Sequence, residues 1–163
     1  MKRLTAGLLA VLVLFASAAA GVGAWRLART PGPHLPQISV YALGHTIRVN
    51  PFLYCNVVDL NDCARTGGQG VLMVDESVPV QLSVPTDIGR APWRLLKVYA
   101  DPRDSTETVF RPGARLAVTI PTVDEYRGRL MGIVVQLMTL VRDQDGELFD
   151  LPHAEWSVRL DWA

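Results

Sequence analysis

From Gln37 to Trp162 apolar side chains return at every second position rather than every third or fourth, a period that admits strands and rejects helices. Ile38, Val40 and Ala42 alternate with Ser39, Tyr41 and Leu43, and Gly44-His45 then predicts a two-residue type II′ turn into Thr46–Asn50. After Pro51, Phe52–Cys55 is expected to resume in the same direction, and Arg65–Gly70 reads as a glycine-rich loop. Val78, Val80, Leu82 and Val84 form the cleanest single face, with Pro79 and Pro85 marking strand ends or an exposed edge. Thr86–Ala91 is a short connection of at most one helical turn.

Trp93, Leu95, Lys97 and Tyr99 oppose Leu96, Val98 and Ala100 on the next strand, and Thr106–Phe110 is weaker and peripheral. Leu116, Val118 and Ile120 are expected to point inward. Leu130–Val141 is apolar on both faces, the mark of a central strand. Asp145-Gly146 turns the chain into a last strand on which Trp156, Val158, Leu160 and Trp162 share a face. Eight or so strands at intervals of about 8–12 residues predict an all-β sandwich. Trp93, early in a middle strand, resembles the core tryptophan of immunoglobulin-like domains. The expected fold is therefore an immunoglobulin-like antiparallel β-sandwich over residues 37–163, preceded by one N-terminal helix.

That helix is read from Leu4–Trp25, about 22 residues without a charge, entered through Lys2-Arg3 and left through Arg26 and Arg29. At 1.5 Å per residue it would reach roughly 33 Å, the thickness of a bilayer's hydrocarbon. Two readings fit residues 1–29: an uncleaved signal anchor, which the length and the closing Trp25 favour, or a signal peptide cleaved near Ala18 or Ala20. Residues 30–36, with Pro31, Pro33 and Pro36, predict a semi-rigid polyproline spacer.

Of the 16 basic residues, Lys2, Arg3, Arg26 and Arg29 precede the body, whereas all 16 acidic residues follow position 58. The body carries 12 positive against 16 negative charges, a net of −4, the wrong sign for a phosphate backbone, so no nucleic-acid partner is expected. Cys55 and Cys63 are the chain's two cysteines. So close a pair suggests a disulfide in an oxidising compartment, or half of a metal site with His34 or His45; the shortage of soft ligands favours the disulfide. Its presence would put the body outside the cytosol.

Motifs for chemistry are missing. The sequence holds no Gly-x-Ser-x-Gly elbow, phosphate loop, His-Glu-x-x-His helix or Cys-x-x-Cys pair. His34, His45 and His153 read as surface residues. Asp59–Asp62 reads as turn chemistry, because the spacing of a calcium loop is absent. Asp150, Glu155 and Asp161 could converge across a sheet, and Arg127, Arg129 and Arg142 could form a local basic patch, but a solvated face explains both groups. Trp93, Trp156 and Trp162 fit a core better than a ligand cage. No catalytic residue, metal ligand or cofactor site is expected. If nothing covers the second face of Leu130–Val141, it becomes a groove or a partner surface.

His45-Thr46-Ile47-Arg48-Val49 leading to Pro51, Tyr54 and Cys55, then Val80–Pro85, Ala91–Arg94 and the closing His153–Val158, resemble an actinobacterial domain-of-unknown-function family, number 2771. The likeness runs from about Leu4 to Trp162. It implies an envelope protein with a membrane or signal segment before a β-rich domain, and carries no catalytic residues with it. The expected function is a non-enzymatic, membrane-anchored module binding an envelope protein or component, secreted if the leader is cleaved. The rival expectation is a small lipid- or ligand-binding domain with a pocket between the sheets.

Overall fold

A computed structural model of the chain describes residues 17–25, 35–65 and 67–163. The chain divides between His34 and Leu35 into two units. In the first, residues 17–25 are helical and exposed. Among the described residues no helix is long and apolar enough to cross a membrane. The remainder of the expected leader and residues 30–34 of the expected spacer, with His34, lie outside the described residues. Leu35 and Pro36 belong to the second unit rather than to a spacer: the Pro36 carbonyl accepts a 2.8 Å hydrogen bond from the buried Trp156 indole.

Among the described residues the second unit has twelve strands: β1 (Ile38–Ala42), β2 (His45–Val49), β3 (Leu53–Cys55), β4 (Cys63–Ala64), β5 (Gly70–Val74), β6 (Val80–Ser83), β7 (Trp93–Tyr99), β8 (Thr106–Phe110), β9 (Ala117–Ile120), β10 (Val123–Asp124), β11 (Gly128–Arg142) and β12 (Leu148–Trp162). One sheet runs β2-β1-β6-β9 and the other β4-β3-β12-β11-β7-β8, with β5 added to β12 and β10 to β11. Ile38, Val40, Val80 and Leu82 from the first sheet and Trp93, Leu95, Ile133, Val135, Trp156 and Val158 from the second share one core. The alternation produces this directly, since residues two apart on a pleated strand face the same way.

Several local expectations change. The β1–β2 turn is Leu43-Gly44, with Ala42 paired to His45 and positive φ at both turn residues (49° and 79°), so it is type I′ rather than II′ and one position earlier. Beyond Pro51 the chain does not resume β2's course. It crosses to the other sheet, where the Phe52 amide donates to the Glu155 carbonyl at 2.7 Å and β3 pairs with β12. Gly70 is not a loop residue but opens β5, which runs parallel to β12 from Gly70↔Val158 to Val74↔Trp162. The sheets are thus antiparallel except for this one ladder. A Cβ on Gly70 would sit 2.7 Å from a Val49 methyl, so glycine is what allows the two sheets to approach there. Leu116 is exposed, because β9 begins only at Ala117.

Other expectations hold. Thr86–Gly89 is a one-turn helix, β8 is an edge strand, Pro79 and Pro85 flank β6, and β11 is central, between β12 and β7.

Candidate functional site

Cys55 and Cys63 face each other across β3 and β4 and are joined by a disulfide. The loop between them is turn chemistry: Asp59 Oδ1 accepts from the Asn61 amide at 3.0 Å, and the Asn56 amide donates to the Asp62 carbonyl at 2.9 Å. His153 packs against this corner. It is buried, not a surface residue: the register of β12 against β11 slips between Ala154↔Leu137 and Pro152↔Met138, leaving His153 as the extra residue of a bulge. A bulge re-aims the side chain it carries. Here it turns the imidazole inward, with Nδ1 3.3 Å from the Cys55 carbonyl and the ring edge-on to Tyr54. Since the carbonyl can only accept, a hydrogen bond here requires the tautomer with the proton on Nδ1. Both sulfurs are committed to the disulfide, so the corner offers this imidazole no thiol to activate.

The carboxylates considered in the sequence do not converge. Glu155 accepts from Gln136 Nε2 at 3.0 Å, Asp161 is held by Arg159 at 2.9 Å, and Asp150 is exposed opposite Leu140. The three arginines form no patch either. Arg127 pairs with Asp124 at 3.2 Å. Arg129 pairs with Glu76 at 2.8 Å and lies 4.7 Å over the Trp162 ring, while Arg142 is at the far end of β11. Trp93 and Trp156 are fully buried and Trp162 is half-buried, as core positions require. His45 is exposed in β2.

Two features stand apart from this ordinary surface. The first is the hairpin of β11 and β12. Pairing of β11 with β7 stops at Leu137↔Trp93, and pairing of β12 with β3 stops at Ala154↔Tyr54. Beyond these, residues 138–142 and 148–152 pair with each other alone among the described residues, so a two-stranded ribbon with two open edges runs out of the body. It exposes Leu140 (66%), Leu148 (58%), Phe149 (44%) and Leu151 (37%) and carries Asp143, Asp145, Glu147 and Asp150 against Arg142. The sequence flagged Leu140 through the second face of Leu130–Val141. It did not flag Leu148–Leu151, because the last strand was read from Trp156 and the bulge at His153 breaks the alternation that would have extended it.

The second feature is a cleft of about 340 Å³ where the edges of the sheets part, between β7–β8 and β9. Leu95, Phe110, Val118 and Ile120 line its floor, with Lys97 and Arg115 among its walls. Phe110 stacks on Trp93, ring centres 4.2 Å apart and planes 21° from parallel, which fixes its position from behind.

Two sheets closed on one core, a cross-strand disulfide and a protruding ribbon define an all-β, disulfide-locked domain. The chain belongs to the family described as protein of unknown function DUF2771, whose profile matches residues 31–161. It is 64% identical over 160 residues to the uncharacterized protein Mb0899c of Mycobacterium bovis and, to the same degree, to the uncharacterized protein Rv0875c of Mycobacterium tuberculosis. In each case 98% of this chain and 99% of the relative are covered. No solved structure matches the chain.

Proposed function

We propose that this chain is a non-catalytic binding module of the cell envelope, held at the membrane by its apolar N-terminal segment and engaging a protein partner through the β11–β12 ribbon. The apolar Leu4–Trp25 stretch and the disulfide support placement outside the cytosol, where such bonds persist. The dispersal of the carboxylates, and a buried histidine whose neighbouring sulfurs are already bonded, favour binding over chemistry.

The strand order supports an immunoglobulin-like reading. β1-β6-β9 in one sheet and β12-β11-β7-β8 in the other correspond to the A-B-E and G-F-C-C′ strands of that architecture, with the local disulfide as the departure. The ribbon then occupies the F–G position, at the end of the sandwich that antibody variable domains use for recognition. That parallel is one of fold alone.

The ribbon carries the proposal. A two-stranded hairpin is marginal in water by itself, and one that exposes four large apolar side chains along open edges gains by docking. A partner strand added to either edge would satisfy its free amides and carbonyls, and the acidic tip favours a basic partner. A photoreactive amino acid at Phe149 or Leu140, in the full chain in living cells, should give a discrete crosslinked protein that the same label at exposed Thr46 does not. Equal products from Thr46, or none from the ribbon, would contradict the proposal.

A further inference from the structure

Lys97 stands where a core side chain is expected. It shares the inward face of β7 with Trp93, Leu95 and Tyr99, yet no carboxylate lies within ion-pair distance of it among the described residues. On one side it borders a hollow containing Asp124 and Glu125, where Asp124 is already engaged by Arg127 at 3.2 Å. On the other it borders the cleft between the sheet edges, whose lining includes no acidic residue. Arg115, exposed and likewise without an ion pair among the described residues, contributes the second cation. Leu95, Phe110, Val118 and Ile120 give the same cleft an apolar lining. The alternation that fills every other inward position of β7 with an apolar or aromatic group thus breaks at Lys97, beside an open apolar slot.

We infer that this cleft binds an amphiphile with one alkyl chain and an anionic head, the chain lying on the Leu95–Phe110–Val118 floor and the head between Lys97 and Arg115. The cleft, about 340 Å³, falls at the small end of ligand pockets, which suits a single chain rather than a two-chain lipid. Apolar contact supplies most of the attraction. The two cations select the sign of the head, because a cationic head would meet like charges with no acid to offset them. The site is distinct from the ribbon, and either can fail without the other.

The test uses the full chain in lipid nanodiscs and a decanoate analogue bearing a photoreactive diazirine on its tail, with labelled peptides mapped by mass spectrometry. Label is expected on the peptides of β7, β8 and β9. Unlabelled decanoate or decyl phosphate should compete it away, the better competitor identifying a carboxylate or a phosphate head, while decyltrimethylammonium should compete at least about tenfold more weakly. Lys97→Gln and Arg115→Gln should each weaken labelling about three- to fivefold. Thr108→Trp, which fills the cleft from an exposed edge position, should abolish it at an unchanged melting temperature. Label scattered over the surface, equal competition by the cationic amphiphile, or no loss in both glutamine variants would overturn the inference.

Discussion

Single side chains decide how this body responds to pH. The Asp75 carboxylate accepts from the Ser77 hydroxyl first, then from the Ser77 and Val78 amides, and these bonds hold its pKa below the ordinary 3.8. The Arg103 side chain does the same for Asp101, and the Tyr126 amide, then Arg127, for Asp124. Each group is more acidic folded than unfolded, so its contribution to stability is complete above pH 3.8 and is lost as pH falls below it. Burial, and then the charge of Asp124, push Tyr99 the other way, above 10.0, so its contribution is complete below pH 10 and is lost as pH rises beyond. Urea midpoints measured across pH should fall on both sides of a broad plateau, and Asp75→Asn should flatten the acid limb. A midpoint that climbs below pH 3.8 would contradict this.

Leu82 and Val135 test the core at the same scale. Each is essentially without solvent contact, so a charge at either site has no partner and no water. Leu82→Asp or Val135→Asp should cost about 4 kcal/mol or more and abolish the cooperative thermal transition, whereas Thr46→Asp on exposed β2 should leave it in place.

At the level of elements, the disulfide and the bulge do most to shape the candidate sites. Replacing Cys55 and Cys63 by Ser should lower stability by about 2.5 kcal/mol through the freed nine-residue loop, read as a shift in denaturant midpoint with unchanged slope. A changed slope would mean that the corner is needed for the two-state fold itself. What could be read from the sequence follows the same division. The core faces of β1, β6, β7 and β12 were legible because period two writes burial into every second letter. β5 was not, because Gly70 resembles a loop residue and because a parallel pairing leaves no turn signal beside it. His153 was misplaced for a related reason: a bulge adds one residue to the count, and nothing in Pro152-His153-Ala154 announces it. The cysteine pair was visible. The cleft was not, since Lys97 reads as an ordinary strand lysine until β9 is placed opposite it.

For the whole molecule, the proposed function requires the body to reside outside the cytosol. A disulfide across a two-residue edge strand, a hairpin ribbon with open edges and an acidic tip, and an apolar N-terminal segment suit a domain displayed outside the cytosol to meet an envelope partner. They suit a reducing interior poorly, because there the thiols would be kept apart. The most direct measurement fuses two reporters in turn to the C-terminus of the full chain in a mycobacterial host: alkaline phosphatase, which is active only where disulfides form, and a green fluorescent protein that matures only in the cytosol. Phosphatase activity and a dark fluorescent fusion are expected; a bright fluorescent fusion with inactive phosphatase would contradict placement outside the cytosol.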